Sequence, residues 1–514
     1  MQKTRRRKRT AAKSNRSNSP YLSIPYRQLR NPFPPYEIAS QEKIEEIHEA
    51  SMHILENTGM RFQDKEALDL WAQAGAKVNH ATEHVWIDRG LLMSLIEQAP
   101  ASFTYRARNP KRSRLIGENA INFFPNAGMV FASDLQRGRR PGQRDDYITF
   151  TKLGQMTNVV HFAPVAAVVM HDVPVHEKHL QNYSVSAILS DKLLMGSSHG
   201  RIIANDIINM ARIIFGNDLQ PEMGPVTGCN INVNSPLVYD NRMIGGMMTF
   251  AEHGQVSIVT PFILAGAMSP ITIAAAVAQQ NAEALAGIAL LQLVRPGAPA
   301  IYGGFTTNVD MRSGAPAFGT PEGAWALLIG AQLARYYELP YRGSGSLNTS
   351  NVPDGQAMGE SLWTLWPAIM AHTHVVVHAC GWLESGLTAS LEKYVMDVEN
   401  LAMMQHFLQG PEWGGDVFAL DAIDEVGPAG HHFGTAHTQA RFENAFYPNF
   451  LHDRRNFGTW QEGGSEDAAV RASKIWQQVV KAYQKPPMDE AVQEALEDYV
   501  VRRTAELEGV ELYD

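Results

Sequence analysis

At 514 residues, with 45% hydrophobic and 19% charged side chains, the chain can bury a large core, which excludes an intrinsically disordered protein. Its net charge of −9, with no sustained acidic or basic block in the body, leaves no electrostatic footprint for nucleic acid. Two cysteines, Cys229 and Cys380, exclude a disulfide framework and point to a reducing, cytoplasmic setting.

The first residues, MQKTRRRKRTAAKSNRSNSP, have almost nothing to bury, so residues 1–30 are expected to form a disordered basic tail. Residues 31–115 read as a helical module. EKIEEIHEASMHILENTGM puts Ile44, Ile47, Ile54 and Leu55 on one helical face and stops at Gly59. DKEALDLWAQAGAKVN starts on Asp64 as N-cap and stops at Gly75, and RGLLMSLIEQAP adds a third helix. From about residue 116 to 485, short apolar runs ending in Gly, Asn, Ser or Pro alternate with helical segments. The runs are INFFPNAG, FAPVAAVVMHDVP, KLLMGSSHG, GPVTGCNINVNSP, VSIVTPFILAGAMSP, PAIYGGFTTN, LPYRGSGSLN and HVVVHACGWLESG. Near-continuous apolar strands alternating with helices predict a parallel sheet covered on both faces, and eight of them favour a (β/α)8 TIM barrel with an N-terminal helical extension. Residues 486–514 read as a closing helix. ITIAAAVAQQNAEALAGIALLQLV is long enough to cross a bilayer, but Gln279, Gln280, Asn281 and Glu283 near its middle predict a helix packed on the sheet, and no membrane partner.

A barrel places its site at the C-terminal ends of the strands. The polar stretch YRGSGSLNTSNVPDGQ, residues 341–356, falls there, although a surface linker would have the same composition. The strand ends carry neutral hydrogen-bonding groups and aromatics, few carboxylates, and histidines without a metal-ligand spacing, so no protein-bound metal is expected. No nucleophile elbow, Schiff-base lysine or phosphate loop is present. Such a pocket suits a small cation held by its surface, because a quaternary ammonium donates no hydrogen bonds and each desolvated aromatic face contributes about 0.5 to 2 kcal/mol. Phe262, Tyr302, Phe305, Trp363, Trp366 and Trp382 are the candidates for that cage; each also reads as core packing, above all Trp363 and Trp366, spaced i, i+3 on a helix. His199 and His378 are candidate polar contacts or structural histidines. Arg312 could pair with a substrate carboxylate or with a surface acid.

The runs FILAGAMSPITIAAAVAQQNAEALAGIALLQLVRPGAPAIYGG, NVDMRSGAPAFGTPEGAWALLIGAQLARYYELPYRGSGS, HFGTAHTQARFENAFYPNF and RRNFGTWQEGG resemble the trimethylamine methyltransferase family over about residues 35–490. The resemblance implies a (β/α)8 barrel that moves a methyl group from a methylated amine to the Co(I) corrinoid of a separate partner protein, with no cofactor bound tightly by this chain. Archaeal members carry pyrrolysine in the region matching Gly343 to Ser350, where this chain has ordinary residues. The pyrrolysine-free branch is associated with quaternary amines such as glycine betaine. By that resemblance Ser346, Leu347 and Asn348 are the expected catalytic floor, and Glu322, in FGTPEG, matches a recurrent position that also suits a helix N-terminus. Alternatives are trimethylamine as substrate, direct transfer to a folate, and a barrel that binds betaine without catalysis. A homo-oligomer is expected.

Overall fold

The computed structural model describes residues 19–216, 219 and 224–512. The basic run expected to be disordered lies outside the described residues as far as Asn18. Residues 19–30, read with that tail, are instead packed on the body. Tyr21 is 1% exposed and bonds Thr157, and Leu29–Arg30 pairs antiparallel with Ile121 and Ala120. Apolar Tyr21 and Leu29 behind the charged run explain the difference.

The body is a mixed α/β structure built on a curled sheet of parallel strands. Their order is Ala120–Phe123, Val375–Val377, Tyr341–Ser344, Ala300–Gly303, Val256–Ala265 and Gly228–Val233. All four residues of Ala300–Gly303 and of Tyr341–Ser344 are buried, as strands covered on both faces must be. Two further segments meet the edges of this ladder. His161 N–H donates to the Phe123 carbonyl at 2.9 Å, Phe162 bridges Leu193 in parallel, and Gly196 N–H donates to the Gly228 carbonyl at 2.7 Å.

Helix Ile273–Val294 lies on the sheet with its polar middle satisfied. Asn281 Nδ2 donates to Ser51 Oγ and Tyr337 OH, both at 2.9 Å, and Gln280 Oε1 accepts from Thr306 at 2.7 Å. Glu283 accepts from the Leu237 amide and Gln279 at 2.9 Å each. Buried polar groups with partners of this kind belong to a protein interior. Among the described residues, no helix is long and apolar enough to cross a membrane.

Before the body come helices Gln41–His53, Lys65–Gln73 and Arg89–Ile96, capped by the side chains of Ser40, Asp64 and Asp88. Between them run strands Met60–Phe62, Lys77–Asn79 and His84–Trp86, which the helical reading did not include. They form a small sheet completed by Val238–Tyr239 from the body. These strands are too short for a periodic signal, and their partner lies about 180 residues away. At the other end of the chain, helix Glu490–Glu506 returns to the body, where Tyr499 OH and Arg503 Nε both donate to Asp206 at 2.7 Å.

Candidate active site

A cavity of about 600 Å³ opens at the C-terminal ends of the parallel strands, within the range of small-molecule sites. Four strands supply much of its wall: Ile258, Thr260 and Phe262 come from Val256–Ala265, Phe305 from Phe305–Val309, Arg342 from Tyr341–Ser344, and Val377 with His378 from Val375–Val377 and its loop.

Aromatic rings make one continuous side. Phe305 is the hub, with ring centroids 4.9 Å from Phe262, 5.9 Å from Phe318, 5.2 Å from His378 and 6.3 Å from Trp382. Trp382 in turn stands edge-on to Phe318 at 5.3 Å and lies 4.5 Å from His378. The Trp382 ring needs the glycine at 386, where φ is +94° and a Cβ would come within 2.6 Å of the ring. Trp382 belongs to a second sheet, in which Trp382–Leu383 pairs with Thr388–Ser390 and the latter with Phe131–Asp134.

Arg342 is the only residue of the lining with a permanent charge; no Asp, Glu or Lys is among them. Its residue is 2% exposed, and burial lowers its pKa to about 10, which leaves the guanidinium charged at neutral pH. One arm is fixed: Nη1 donates to the Gly304 carbonyl at 3.1 Å, and the guanidinium carbon sits 4.9 Å from the Phe305 ring centre. Its Nε is buried without a hydrogen-bond partner. A buried guanidinium with an unpaired donor and no carboxylate in the same lining has the chemistry to accept an anionic group.

His378 has Nδ1 3.3 Å from Ser344 Oγ, and burial, aided by the charge on Arg342, holds its pKa well below the usual value. It is therefore a neutral polar group. His378 and Ser346 both have left-handed backbones, with φ of 60° and 52°. Non-glycine residues held this way cost about 1 to 3 kcal/mol each and concentrate at functional sites. His199 sits at the cavity rim, where its Nδ1 lies 2.7 Å from Ser197 Oγ and burial lowers its pKa.

The structure thus brings together Phe262, Phe305, His378, Trp382 and His199 around one cavity. It separates the rest. Tyr302 points away from the cavity into the helix layer, where its hydroxyl donates to Asn281 Oδ1 at 3.1 Å. A strand alternates faces, and the sequence does not say which face the ring takes. Arg312 lies on an exposed loop tip, its amide bonded to Asp310 Oδ1 at 3.1 Å. Glu322 is in the first turn of helix Pro321–Tyr336, after the Thr320 cap, where a carboxylate favours the helix dipole. Ser346, Leu347 and Asn348 are buried but stand behind the cavity wall. Leu347 faces a small separate void of about 30 Å³ shared with Ser344 and Thr364. Ser361 braces this segment: its hydroxyl donates to the Ser346 carbonyl at 3.0 Å and accepts from Lys393 Nζ at 2.7 Å. Lys393 is paired with Asp397, whose pKa burial raises to about 6 and whose other oxygen accepts from Gly381 N–H at 2.9 Å. Of the polar stretch 341–356, residues 341–350 are therefore buried and not a linker, with Arg342 reaching the cavity, whereas residues 351–356 are mostly exposed.

Arg342 and Phe318 were missed. The signal for Arg342 was in LPYRGSGS, a charge inside an otherwise apolar and small-residue strand.

Among the described residues, no group of three or more His, Cys, Asp or Glu side chains could hold a metal ion. The cavity combines an aromatic side, a buried cation and neutral polar groups. The model of the trimethylamine methyltransferase (MTTB) family matches residues 2–508, and the chain belongs to this family of methyltransferases. It is 36% identical to glycine betaine methyltransferase of Desulfitobacterium hafniense (strain Y51), covering 92% of this chain and 98% of that one. It is 28% identical to trimethylamine methyltransferase MttB of Desulfitobacterium hafniense (strain DSM 10664 / DCB-2), covering 92% and 94%. It is also 28% identical to proline betaine:corrinoid methyltransferase of Eubacterium limosum, covering 90% and 96%.

Proposed function

We propose that this methyltransferase takes a methyl group from a zwitterionic quaternary amine of the glycine betaine type and passes it to a corrinoid carried by a partner protein. The observation that supports the substrate class is the charge pattern of the cavity: Arg342 is the single formal charge, and it lies beside the aromatic side. A betaine satisfies both features, with its carboxylate on the spare donors of Arg342 and its methyl groups against Phe305, Phe262 and Trp382. Choline or protonated trimethylamine would face the buried guanidinium without an anion to offset it.

The corrinoid supplies a strongly nucleophilic Co(I) that accepts the methyl group. The cavity, at about 600 Å³, has room for a betaine with space to spare, and the corrinoid would be presented to it from the mouth by its carrier. The chain holds the substrate so that one N-methyl points outward, and it excludes water that would compete as a nucleophile. As the methyl leaves, the bonding pair stays on nitrogen and its positive charge disappears. Arg342 therefore acts in two senses. Its ion pair with the carboxylate binds the substrate, while its field disfavours the ammonium more than the transition state, in which that charge is fading. No proton moves in this step, which agrees with a neutral His378 and a lining without carboxylates.

The same reading takes residues 116–485 as a closed (β/α)8 barrel, supported by the backbone bridges that run from Phe123 through His161, Leu193 and Gly196 to Gly228. Residues 31–115 form an N-terminal module and residues 486–514 a closing helix. Two free buried cysteines agree with a cytoplasmic location.

The test is calorimetric titration with glycine betaine, proline betaine, carnitine, choline and trimethylamine, followed by demethylation with a Co(I) corrinoid protein. Binding of a betaine, with loss of one methyl per turnover, is expected. Equal or tighter binding of choline or trimethylamine would overturn the substrate class.

A further inference from the structure

Residues 411–462 make a long excursion between helices Leu391–Phe407 and Ala468–Lys481, with only short helices of its own. Nine of the 26 exposed large apolar side chains among the described residues fall in it, including Trp413 at 78%, Phe433 at 79% and Phe446 at 82% exposure. At about 150 to 250 Å² for a whole aromatic side chain, the arm leaves on the order of 1,000 Å² of apolar surface in water.

Both roots of the arm lie at the N-terminal ends of the parallel strands. Phe407 packs on Phe33 at 5.2 Å, and the Phe33 carbonyl meets His372, just ahead of strand Val375–Val377. Phe450 packs on Tyr21 at 5.0 Å, and Tyr21 bonds Thr157, just ahead of the bridge at Phe162. The cavity opens at the opposite ends. The arm is therefore rooted away from the mouth that a corrinoid partner has to reach and leave again.

The area matches a permanent partner instead, since a stable interface takes about 800 Å² from each side. A counter-surface is present on the same chain. Leu362, Trp363 and Trp366 are exposed on helix Gly355–Met370, and Trp366 packs at a tilt, 5.2 Å between ring centres, on Phe407, which is itself exposed, as is Met403 one turn earlier. We propose that residues 411–462 are a dimerisation arm, laid by each copy of the chain over the helix face at Trp363 and Trp366 of a second copy. A two-fold pairing of this kind closes on itself and covers both surfaces in both copies.

Sedimentation velocity of the full-length protein tests it. A dimer, or a closed assembly of dimers, is expected at micromolar concentration. The double variant Phe433→Asp, Phe446→Asp changes only exposed side chains and should weaken self-association at least about tenfold while glycine betaine affinity is unchanged. Trp363→Glu should do the same from the other side of the contact. A monomeric wild type overturns the proposal, as does an oligomer that both variants leave intact. Protection of the arm on adding the corrinoid protein to a monomeric chain would also overturn it and assign the surface to that partner.

Discussion

Asn348 and Trp382 hold each other through two hydrogen bonds, Asn348 Nδ2 donating to the Trp382 carbonyl at 2.6 Å and Trp382 Nε1 donating to the Asn348 carbonyl at 3.0 Å. The two segments follow neighbouring paired strands, Tyr341–Ser344 and Val375–Val377, and are also joined where Glu384 N–H donates to the Ser350 carbonyl at 2.8 Å. Their mutual bonds fix the plane of the indole, and the indole is the edge-on neighbour of Phe305 and Phe318 in the aromatic side. Asn348 thus acts on the cavity through Trp382 without touching it.

Asn348→Ala should therefore affect binding as well as stability. It removes the bond to the buried Trp382 carbonyl and is expected to lower stability by about 1 to 3 kcal/mol. The indole keeps its bond to the carbonyl of residue 348, but the Trp382 backbone loses its anchor, and glycine betaine affinity should fall about tenfold. Urea unfolding and calorimetry check the two effects separately. An unchanged dissociation constant in a destabilised variant would make the pair purely structural.

Arg342→Met keeps the aliphatic stem against Phe305 and removes the charge. Losing a charge-assisted anchor costs about 1.5 to 3 kcal/mol, so affinity for carboxylated amines should fall roughly 10- to 100-fold. The discrimination against choline should shrink at the same time, because the cation opposing its ammonium is gone. Calorimetric titration of both ligands reads this ratio directly, and a ratio that stays at the wild-type value would remove Arg342 from substrate selection.

Tyr302→Phe and Arg312→Ala are the controls. Tyr302→Phe deletes a buried bond to Asn281 and should cost about 1 kcal/mol of stability, with betaine binding intact. Arg312→Ala, on an exposed tip, should change neither, and a loss of binding in either variant would contradict the placement of the site. These two residues also mark where sequence reasoning stopped. The alternation of apolar runs and helices carried the parallel sheet, because burial on both faces leaves a long apolar signature. The strand ends pointed to Phe262, Phe305, His378 and Trp382 for the same reason. Whether a given strand residue faces the cavity or the helices is a matter of register, and adjacent positions such as Tyr341 and Arg342 go opposite ways. Arg342 could have been singled out by its charge alone, since a basic residue within a buried strand requires a partner or a ligand. The exposed tip at Arg312 had no such mark, because a charged residue next to Gly and Ser is equally at home in solvent.

Acid should unfold the protein through neutral histidines that tie the first residues to the sheet. His161 Nδ1 accepts from Phe123 N–H at 2.9 Å and His374 Nδ1 accepts from Tyr341 N–H at 2.8 Å. In both rings the proton is therefore on Nε2, which donates to the carbonyls of Arg27 at 3.0 Å and Glu118 at 2.9 Å. Burial lowers the pKa of each, that of His374 to about 4 and that of His161 well below the usual value. Between pH 6.5 and 4 the unfolded chain binds protons that these folded rings refuse, so stability is fully present above 6.5 and falls as the pH drops. His374 alone accounts for about 3 kcal/mol at pH 4, because each tenfold weakening of its proton affinity is worth about 1.4 kcal/mol. Urea unfolding at pH 7.5, 5.5 and 4.5 should show this decline, and His374→Gln, which does not titrate, should flatten it. A variant with the wild-type slope would assign the acid sensitivity to other groups.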